Sequence, residues 1–328
     1  MSLGIVVIGR NEGARLSKCL ETVCNIGYPA IYVDSGSTDD SIAVARSFNA
    51  EIVELDPKRP FSAARARNEG FERLLSNHSQ IEYVQFIDGD CYLLNGWLEA
   101  ASRALAEDRM RAAVVGHLIE RNVRSSRYNK LCAMEWRSTP GDLTDYGYLG
   151  GISMMRTDVF RELQGFRVDV IAGEDSELGV RMGPAGYRIT KIDVAMATHD
   201  ANINSFRQWW RRSVRAGHAI GQRYNLNGRS PARDCARERS STIFWGIVLP
   251  FIILATAVPT HGLSLSLLLG YAVLGCRVWR NRRRMGDGFA DALLYASFIV
   301  IGKSANAIGL LKFSLNRLAG NYRIIEYK

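Results

Sequence analysis

Across the first 110 residues, four short apolar runs each give way to a polar loop and then to a segment with helical spacing. This alternation limits the fold more than any other feature of the chain. "LGIVVI" (Leu3–Ile8) is continuous enough to be buried on both faces, and Leu16, Leu20 and Val23 beyond it share one helical face. "AIYVD" leads into "SGSTDDSIAVARSF", where Ser37 and Asp40 have the spacing of a capping box with Asp in place of Glu. "EIVEL" reads as a third strand, followed by a helix over 62–76 with Arg65, Arg67 and Asn68 near its start. "YVQFI" is a fourth, followed by a helix over 95–107. Strands alternating with helices predict a parallel, doubly wound sheet.

Ligands of such sheets bind beyond the carboxyl ends of the strands. Here those ends are "GRNE" (Gly9–Glu12), "DSGSTD" (Asp34–Asp39) and "DGD" (Asp88–Asp90), all polar and expected on one edge. A buried strand gains no stability by ending in two carboxylates. Asp88 and Asp90 are hard oxygen ligands of the kind that hold Mg²⁺ or Mn²⁺ and leave positions open for diphosphate oxygens. A metal so held neutralises charge on a departing nucleoside diphosphate.

After Val115 the alternation loosens, and the irregular 121–150 region reads as a substrate-binding excursion. "GGISMMRTDVFRELQGF" combines the pair Gly150-Gly151, a short strand and a helix expected to be capped by Thr157. Glu174 and Asp175 open another helix, and extended chain then runs to His199.

Charge divides the sequence in two. Residues 201–328 carry 19 Lys/Arg and 5 Asp/Glu, whereas residues 1–200 carry 23 and 28. The basic part also holds the most apolar runs, which points to a membrane partner and not to nucleic acid. Thr242–Thr260 and Leu263–Cys276 lie near the short end of the ~17–25 residues that span hydrocarbon, and together predict a hairpin. Arg229, Arg233, Arg237 and Arg239 before it and "RVWRNRRR" after it place both ends on the cytoplasmic side. A third apolar run over 289–313, containing Asp291, Lys303 and Asn306, spans, re-enters or lies flat. The six cysteines show no C-x-x-C pairing, as expected of reduced thiols in a cytosol-facing protein. No cleavable signal peptide is expected, since the N-terminus enters a strand at once.

The set "VVIGRNE", "VDSGSTDDS", "ARNEG", "FIDGD" and "GEDSELGVRM…GYRI", in this order, resembles the family-2 glycosyltransferases of GT-A fold over residues 3–200. The resemblance implies an α/β, Rossmann-like, mostly parallel central sheet over 1–200. Amphipathic interfacial helices over 201–240 and a membrane segment over 241–328 are expected to follow. It implies that Arg10, Asn11, Glu12, Asp34 and Ser35 hold the nucleotide's base and ribose, and that Arg67 and Asn68 face its phosphates. Asp88 and Gly151 are expected at the nucleotide-sugar, with Glu174 as a positioning residue. Asp88, Asp90 and His199 are the implied metal ligands for Mn²⁺ or Mg²⁺, and Asp175 the implied catalytic base. "QWWRR" (Gln208–Arg212) partly resembles the Q-x-x-R-W acceptor motif of processive synthases, but position 212 is Arg. This departure favours an interfacial role for Trp209 and Trp210.

The chemistry expected is inverting transfer by a hexosyltransferase-type enzyme. It uses a nucleotide-diphosphate sugar donor and a hydroxyl acceptor on a membrane-associated, lipid-linked glycan, in polysaccharide or envelope glycan synthesis. The enzyme is expected at the inner (cytoplasmic) membrane with its catalytic domain facing the cytoplasm. One alternative acceptor is a polyprenyl phosphate, whose oxygen needs no base. Another reading is a membrane-anchored binding module that has lost catalysis, against which the retained Asp88, Asp90, Glu174 and Asp175 argue. A nicotinamide-dependent dehydrogenase is disfavoured, because no G-x-G-x-x-G follows the first strand.

Overall fold

The computed structural model describes residues 2–143 and 149–320. By contact the chain forms two units: residues 1–125 with 135–202, and residues 126–134 with 203–328.

The first unit is built on one mixed sheet. Its strands are β1 (Leu3–Gly9), β2 (Ala30–Asp34), β3 (Glu51–Glu54), β4 (Tyr83–Asp88), β5 (Cys91–Leu93), β6 (Arg111–Glu120), β7 (Gly141–Asp142), β8 (Ser153–Arg156) and β9 (Arg188–His199). They run in the order β3-β2-β1-β4-β8-β6-β9-β5, with β7 beside β9. β3, β2, β1 and β4 are parallel, as the alternation predicts. The far half of the sheet is mixed. β8 runs antiparallel to both β4 and β6, β6 and β9 are parallel, and β5 and β7 pair antiparallel with β9. Among the described residues four of the eight strand pairings are antiparallel.

Helices α1 (Ala14–Val23), α2 (Ser41–Ser47), α3 (Ala63–Asn77), α4 (Trp97–Glu107), α6 (Thr157–Glu162) and α7 (Glu174–Met182) flank the sheet, and α5 (Arg127–Glu135) interrupts it in sequence. β1 shows why both faces are covered: Leu3, Ile5 and Val7 pack with α1 and α4 residues such as Leu16 and Trp97. Val6 and Ile8 pack on the opposite face with Phe71 and Leu74 of α3. A strand apolar at every position needs such two-sided cover.

Phe71, Phe86, Phe160 and Phe166 form one buried aromatic group, with ring centroids 4.5–5.3 Å apart. Each ring contributes ~1.5–3 kcal/mol by leaving water. The group ties α3, β4 and α6 together beneath the edge where the strands end. Local capping differs from expectation at two points. Ser37 does not cap α2 but donates its hydroxyl to Asp34 Oδ1 (2.5 Å), so that Asp40 stands at the N-cap. Thr157 is the first residue of α6 and not its cap, and its hydroxyl reaches back to the Ile81 carbonyl (2.7 Å). Ser62, the first residue of the expected helix, is the N-cap of α3 and accepts from the Arg65 amide (3.1 Å).

The second unit is helical: α5 groups with α8 (Phe206–Asn227), α9 (Ala236–Ile243), α10 (Leu249–Ala257), α11 (Leu269–Arg284) and α12 (Phe289–Leu318). α8 opens on a capping box made by Ser205 and Gln208. It packs on α12 backbone to backbone: a side chain at Gly217 would collide with Asn306, and one at Gly309 with Val214. A π-helical turn (Phe244–Val248) joins α9 to α10, and a 3-10 segment (Leu263–Leu268) leads into α11. Three helical stretches, Ala236–Ala257, Leu263–Arg284 and Phe289–Leu318, are long and apolar enough to cross a membrane. At 1.5 Å per residue, 22 residues reach ~33 Å, enough for the hydrocarbon core. Phe251, Leu254, Val258, Leu263 and Leu269 are largely exposed, a surface suited to lipid and costly in water. Buried Arg282 pairs with Asp287 (2.5 Å) across the turn between α11 and α12. Lys130 of α5 meets Asp291 of α12 (2.5 Å).

Candidate active site

The site is assembled where β1, β2 and β4 end and α7 begins, all within the first unit. Arg67 lies one turn into α3 and is 3% exposed. Its Nη2 donates to Asp88 Oδ1 (2.7 Å) and its Nη1 to Glu174 Oε1 (2.6 Å), while the guanidinium rests over the Phe166 ring at 5.5 Å. Burial alone would lower the guanidinium's pKa, but Asp88, Glu174 and Asp175 around it reverse the effect and hold it above the ordinary arginine value. Gly151 completes this group by having no side chain: a Cβ there would stand 2.5 Å from Arg67 Nη2. Asn68, the neighbour of Arg67, engages the loop before α7. Its Nδ2 donates to the Phe166 carbonyl (2.7 Å) and its Oδ1 accepts from the Phe166 amide (3.0 Å), which fixes the loop under Arg67.

Glu174 and Asp175 occupy the first turn of α7, where the helix dipole favours anions. The turn into α7 is made by Gly173 at φ 78°, a conformation open to glycine. Glu174 is buried, whereas Asp175 is partly exposed and accepts from the Ser176 amide (2.7 Å). One turn further on, buried Glu177 takes Arg181 at 2.9–3.0 Å, and Arg181 in turn donates to the Gly165 carbonyl (2.7 Å). This brace holds α7 to the loop before it.

A second cluster lies at the β5–β9 pairing. Asp90 and His199 approach to 3.6 Å (Oδ2–Nε2), too long for a hydrogen bond. On the other side of the ring His199 Nδ1 is buried without a hydrogen-bond partner, 3.6 Å from Glu120 Oε2. Glu120 is itself buried and accepts from the Asn122 and Ala201 amides (3.1 Å each). The Cys91 thiol donates to Asp90 Oδ1 (3.3 Å), and Asp90, Cys91 and His199 place their ligand atoms within 4.8 Å of one another. Trp136 meets the His199 ring edge to face at 4.8 Å. Two acceptors facing each other across 3.6 Å, with a carboxylate behind the imidazole, fit a divalent cation between them. Asp90 and His199 would hold the ion there. Asp88 has one oxygen on Arg67 and remains about a third exposed.

The β1 and β2 loops form a third group. Asp34 is buried and accepts from the Tyr32 hydroxyl (3.0 Å) and from the Ser37 amide (2.8 Å) and hydroxyl. Burial and the Asp34 charge push the Tyr32 phenol well up, so it stays a donor. Asn11 Oδ1 accepts from the Thr38 amide (2.7 Å), and the Ser35 amide donates to the Gly9 carbonyl (3.0 Å). Arg10 lies over the Phe61 ring at 5.7 Å, and Glu12, paired with Arg15 at 2.8 Å, packs against Gly89 of the Asp88-Gly89-Asp90 turn. Of the 121–150 excursion, residues 144–148 lie outside the described residues, and 127–135 is helical.

Cys91, Glu120 and Trp136 escaped the sequence reading. Glu120 carries the same signal as Asp88, a carboxylate closing an apolar strand ("AAVVGHLIE"). Cys91 and His199 face each other across the β5–β9 ladder, a register that only the folded chain reveals.

Residues 4–164 match the family described as Glycosyl transferase family 2. Glycosyltransferase AglE of Haloferax volcanii is 26% identical over 215 residues, which are 61% of this chain and 67% of that protein. The pre-mycofactocin glycosyltransferase of Mycobacterium tuberculosis is 25% identical over 307 residues, which are 89% of this chain but 60% of that longer protein. Among solved structures, the mannosyltransferase PcManGT from Pyrobaculum calidifontis, in complex with GDP-Man and Mn²⁺, superposes with a TM-score of 0.57 at 18% identity. The match covers 98% of this chain and 88% of that one.

Proposed function

We propose, from the premise that the chain is a glycosyltransferase with a family-2 domain over residues 4–164, that it moves a sugar with inversion from a nucleotide-diphosphate sugar to a hydroxyl of a membrane-associated, lipid-linked glycan. The observation that carries this reading is the pairing of Asp88 and Glu174 with the buried guanidinium of Arg67, which brings the end of β4 to the start of α7, where Asp175 follows Glu174. The Asp90–His199 pair on the neighbouring strands adds a place for a divalent ion. The excess of negative charge calls for a cation before a diphosphate can approach.

Arg67 holds Asp88 and Glu174 in place, and Glu174 fixes the start of α7 so that Asp175 is presented from a rigid turn. Asp175, the more exposed of the two carboxylates that open α7, accepts the proton of the acceptor hydroxyl as its oxygen attacks the anomeric carbon. The nucleoside diphosphate leaves in the same displacement, which inverts the configuration. A bound Mn²⁺ or Mg²⁺ supplies charge neutralisation for that leaving group. Mn²⁺ together with GDP-Man in the Pyrobaculum calidifontis structure is in keeping with a divalent ion beside a nucleotide sugar. The β1 and β2 loops, with Arg10, Asn11, Glu12, Asp34 and Ser35, take the nucleoside. Three apolar helical stretches and the arginines that flank them support a cytoplasmic-membrane enzyme with its catalytic unit on the cytoplasmic side.

The test is a panel of nucleotide-diphosphate sugars with the full chain in detergent or liposomes, read as metal-dependent release of nucleoside diphosphate. One donor should be hydrolysed or transferred, chelator should stop it, and Asp175→Asn should suppress it. Release from no donor, with or without a lipid-linked acceptor, would sink the reading.

A further inference from the structure

Cys91 has no part in the transfer described above, yet its thiol is fully buried and closes the group containing Asp90 and His199. Cys91 and His199 are directly opposed on the antiparallel β5–β9 pair, so both side chains leave the same face of the sheet. Asp90 precedes Cys91 and reaches both: Oδ1 lies 3.3 Å from Cys91 Sγ and Oδ2 lies 3.6 Å from His199 Nε2.

These separations can be compared with what a metal requires. Zinc takes sulfur at ~2.3 Å and nitrogen or oxygen at ~2.0–2.2 Å in a tetrahedron, which puts neighbouring ligand atoms about 3.4–3.6 Å apart. The two measured separations run to different oxygens of Asp90 and lie near that edge length, and the three ligand atoms all lie within 4.8 Å of one another, so that side-chain rotation closes the three onto one ion. Magnesium instead asks for six ligands, nearly all oxygen, in an octahedron, and gains nothing from sulfur. Glu120 Oε2 stands 3.6 Å behind Nδ1, on the side from which a carboxylate orients a metal-binding histidine once the two close to hydrogen-bond distance.

We propose that Asp90, Cys91 and His199 form a thiolate-containing site that takes Zn²⁺ in competition with the hard ion of the transfer reaction. The inference rests on the assignment of Asp90 and His199 to a metal site, and Cys91 is the addition. On binding, the thiol proton leaves to solvent, the Sγ–H···Oδ1 hydrogen bond is lost and an S–Zn bond forms. The three ligands leave one tetrahedral position open. Because Asp90 and His199 can serve one ion at a time, zinc in the site excludes manganese from it.

The experiment uses the full chain with Cys276, the exposed cysteine, changed to Ser so that a surface thiol cannot contribute. Addition of Co²⁺ alone should produce the near-ultraviolet charge-transfer absorption of a thiolate–cobalt bond, and stoichiometric Zn²⁺ should remove it. Cys91→Ser and Cys91→Ala, each checked for an unchanged thermal unfolding midpoint, should both abolish the band and weaken Zn²⁺ binding by at least ~10–100-fold. Co²⁺ bound without the band, or a band that survives in both variants, overturns the role of Cys91 and leaves the hard-metal assignment standing. Absence of Co²⁺ binding altogether overturns both.

Discussion

Arg67 and Glu174 stand 107 residues apart in the chain, yet Nη1 and Oε1 meet at 2.6 Å. The pair is buried on both sides, with the Arg67 side chain 3% and that of Glu174 9% exposed. It joins α3, which follows the third strand, to α7, which carries Asp175. The nucleotide side and the acceptor side of the proposed reaction thus share one guanidinium.

Removing that guanidinium leaves Glu174 buried and unpaired. Breaking a buried pair from one side typically costs ~3–5 kcal/mol. Arg67→Met should therefore lower the unfolding midpoint of the first unit sharply. Arg67→Lys, with one point charge in place of a fork, should hold one carboxylate but not both and lose part of the same stability. Denaturant titration of the detergent-solubilised chain measures both, and an unchanged Arg67→Met midpoint would show that the pair contributes nothing.

Asp175→Asn preserves size and removes the proposed base. Donor affinity by calorimetry should stay close to that of the parent, while turnover falls by ~10²–10⁴-fold. Glu174→Gln should be milder in turnover, since in the proposed reaction Glu174 positions α7 and does not take the proton. Normal turnover by Asp175→Asn would favour a phosphate acceptor, whose oxygen needs no base.

Asp90 and His199 are predicted to act through the ion. Nucleoside diphosphate should bind Asp90→Ala more weakly than the parent when Mn²⁺ is present, and equally when it is absent. Equal affinities in both conditions would remove Asp90 from the metal site.

The three apolar stretches predict that the full chain sediments with membranes after high-salt and alkaline washes, and needs detergent for release. Recovery in the supernatant of either wash would exclude spanning helices.

His218 in α8 is buried against Phe313, with Asn316 at 3.4 Å and Lys312 nearby. Burial first, and the Lys312 charge second, push its pKa down to about 4, against an ordinary value of 6.5. The unfolded chain therefore binds a proton that the folded chain refuses between these values. Stability of the helical unit should be constant above pH 6.5 and fall as the pH drops toward 4. His218→Gln should flatten that dependence in thermal unfolding followed across pH.

The near half of the sheet and its polar edge were legible in the sequence, for a physical reason. Asp88 and Asp90 end a strand that has no use for charge, and β1 to β4 follow the strand–helix alternation that makes parallel sheets. The far half was not legible. Strand direction in β8 and β9 depends on which neighbours they meet, and hydrophobic pattern alone carries no direction. The surroundings of His199 are a product of that far half, since β5, β6 and β9 bring Cys91, Glu120 and the histidine together by register. Asn68 illustrates the same limit at one residue. The resemblance implies a phosphate-facing role for it, while the two hydrogen bonds its amide makes to Phe166, 98 residues on, are a contact that only the folded chain reveals.

α5 lies in the middle of the catalytic sequence but belongs to the helical unit, so the polypeptide passes from one unit to the other three times. Modularity is lost as a result. No single cut separates a soluble enzyme from a membrane anchor, because a chain ended at residue 202 keeps Leu131, Cys132 and Met134 and loses the helices with which they are grouped. Exchange of anchors between such enzymes would likewise have to carry a nine-residue insert along with the C-terminal helices.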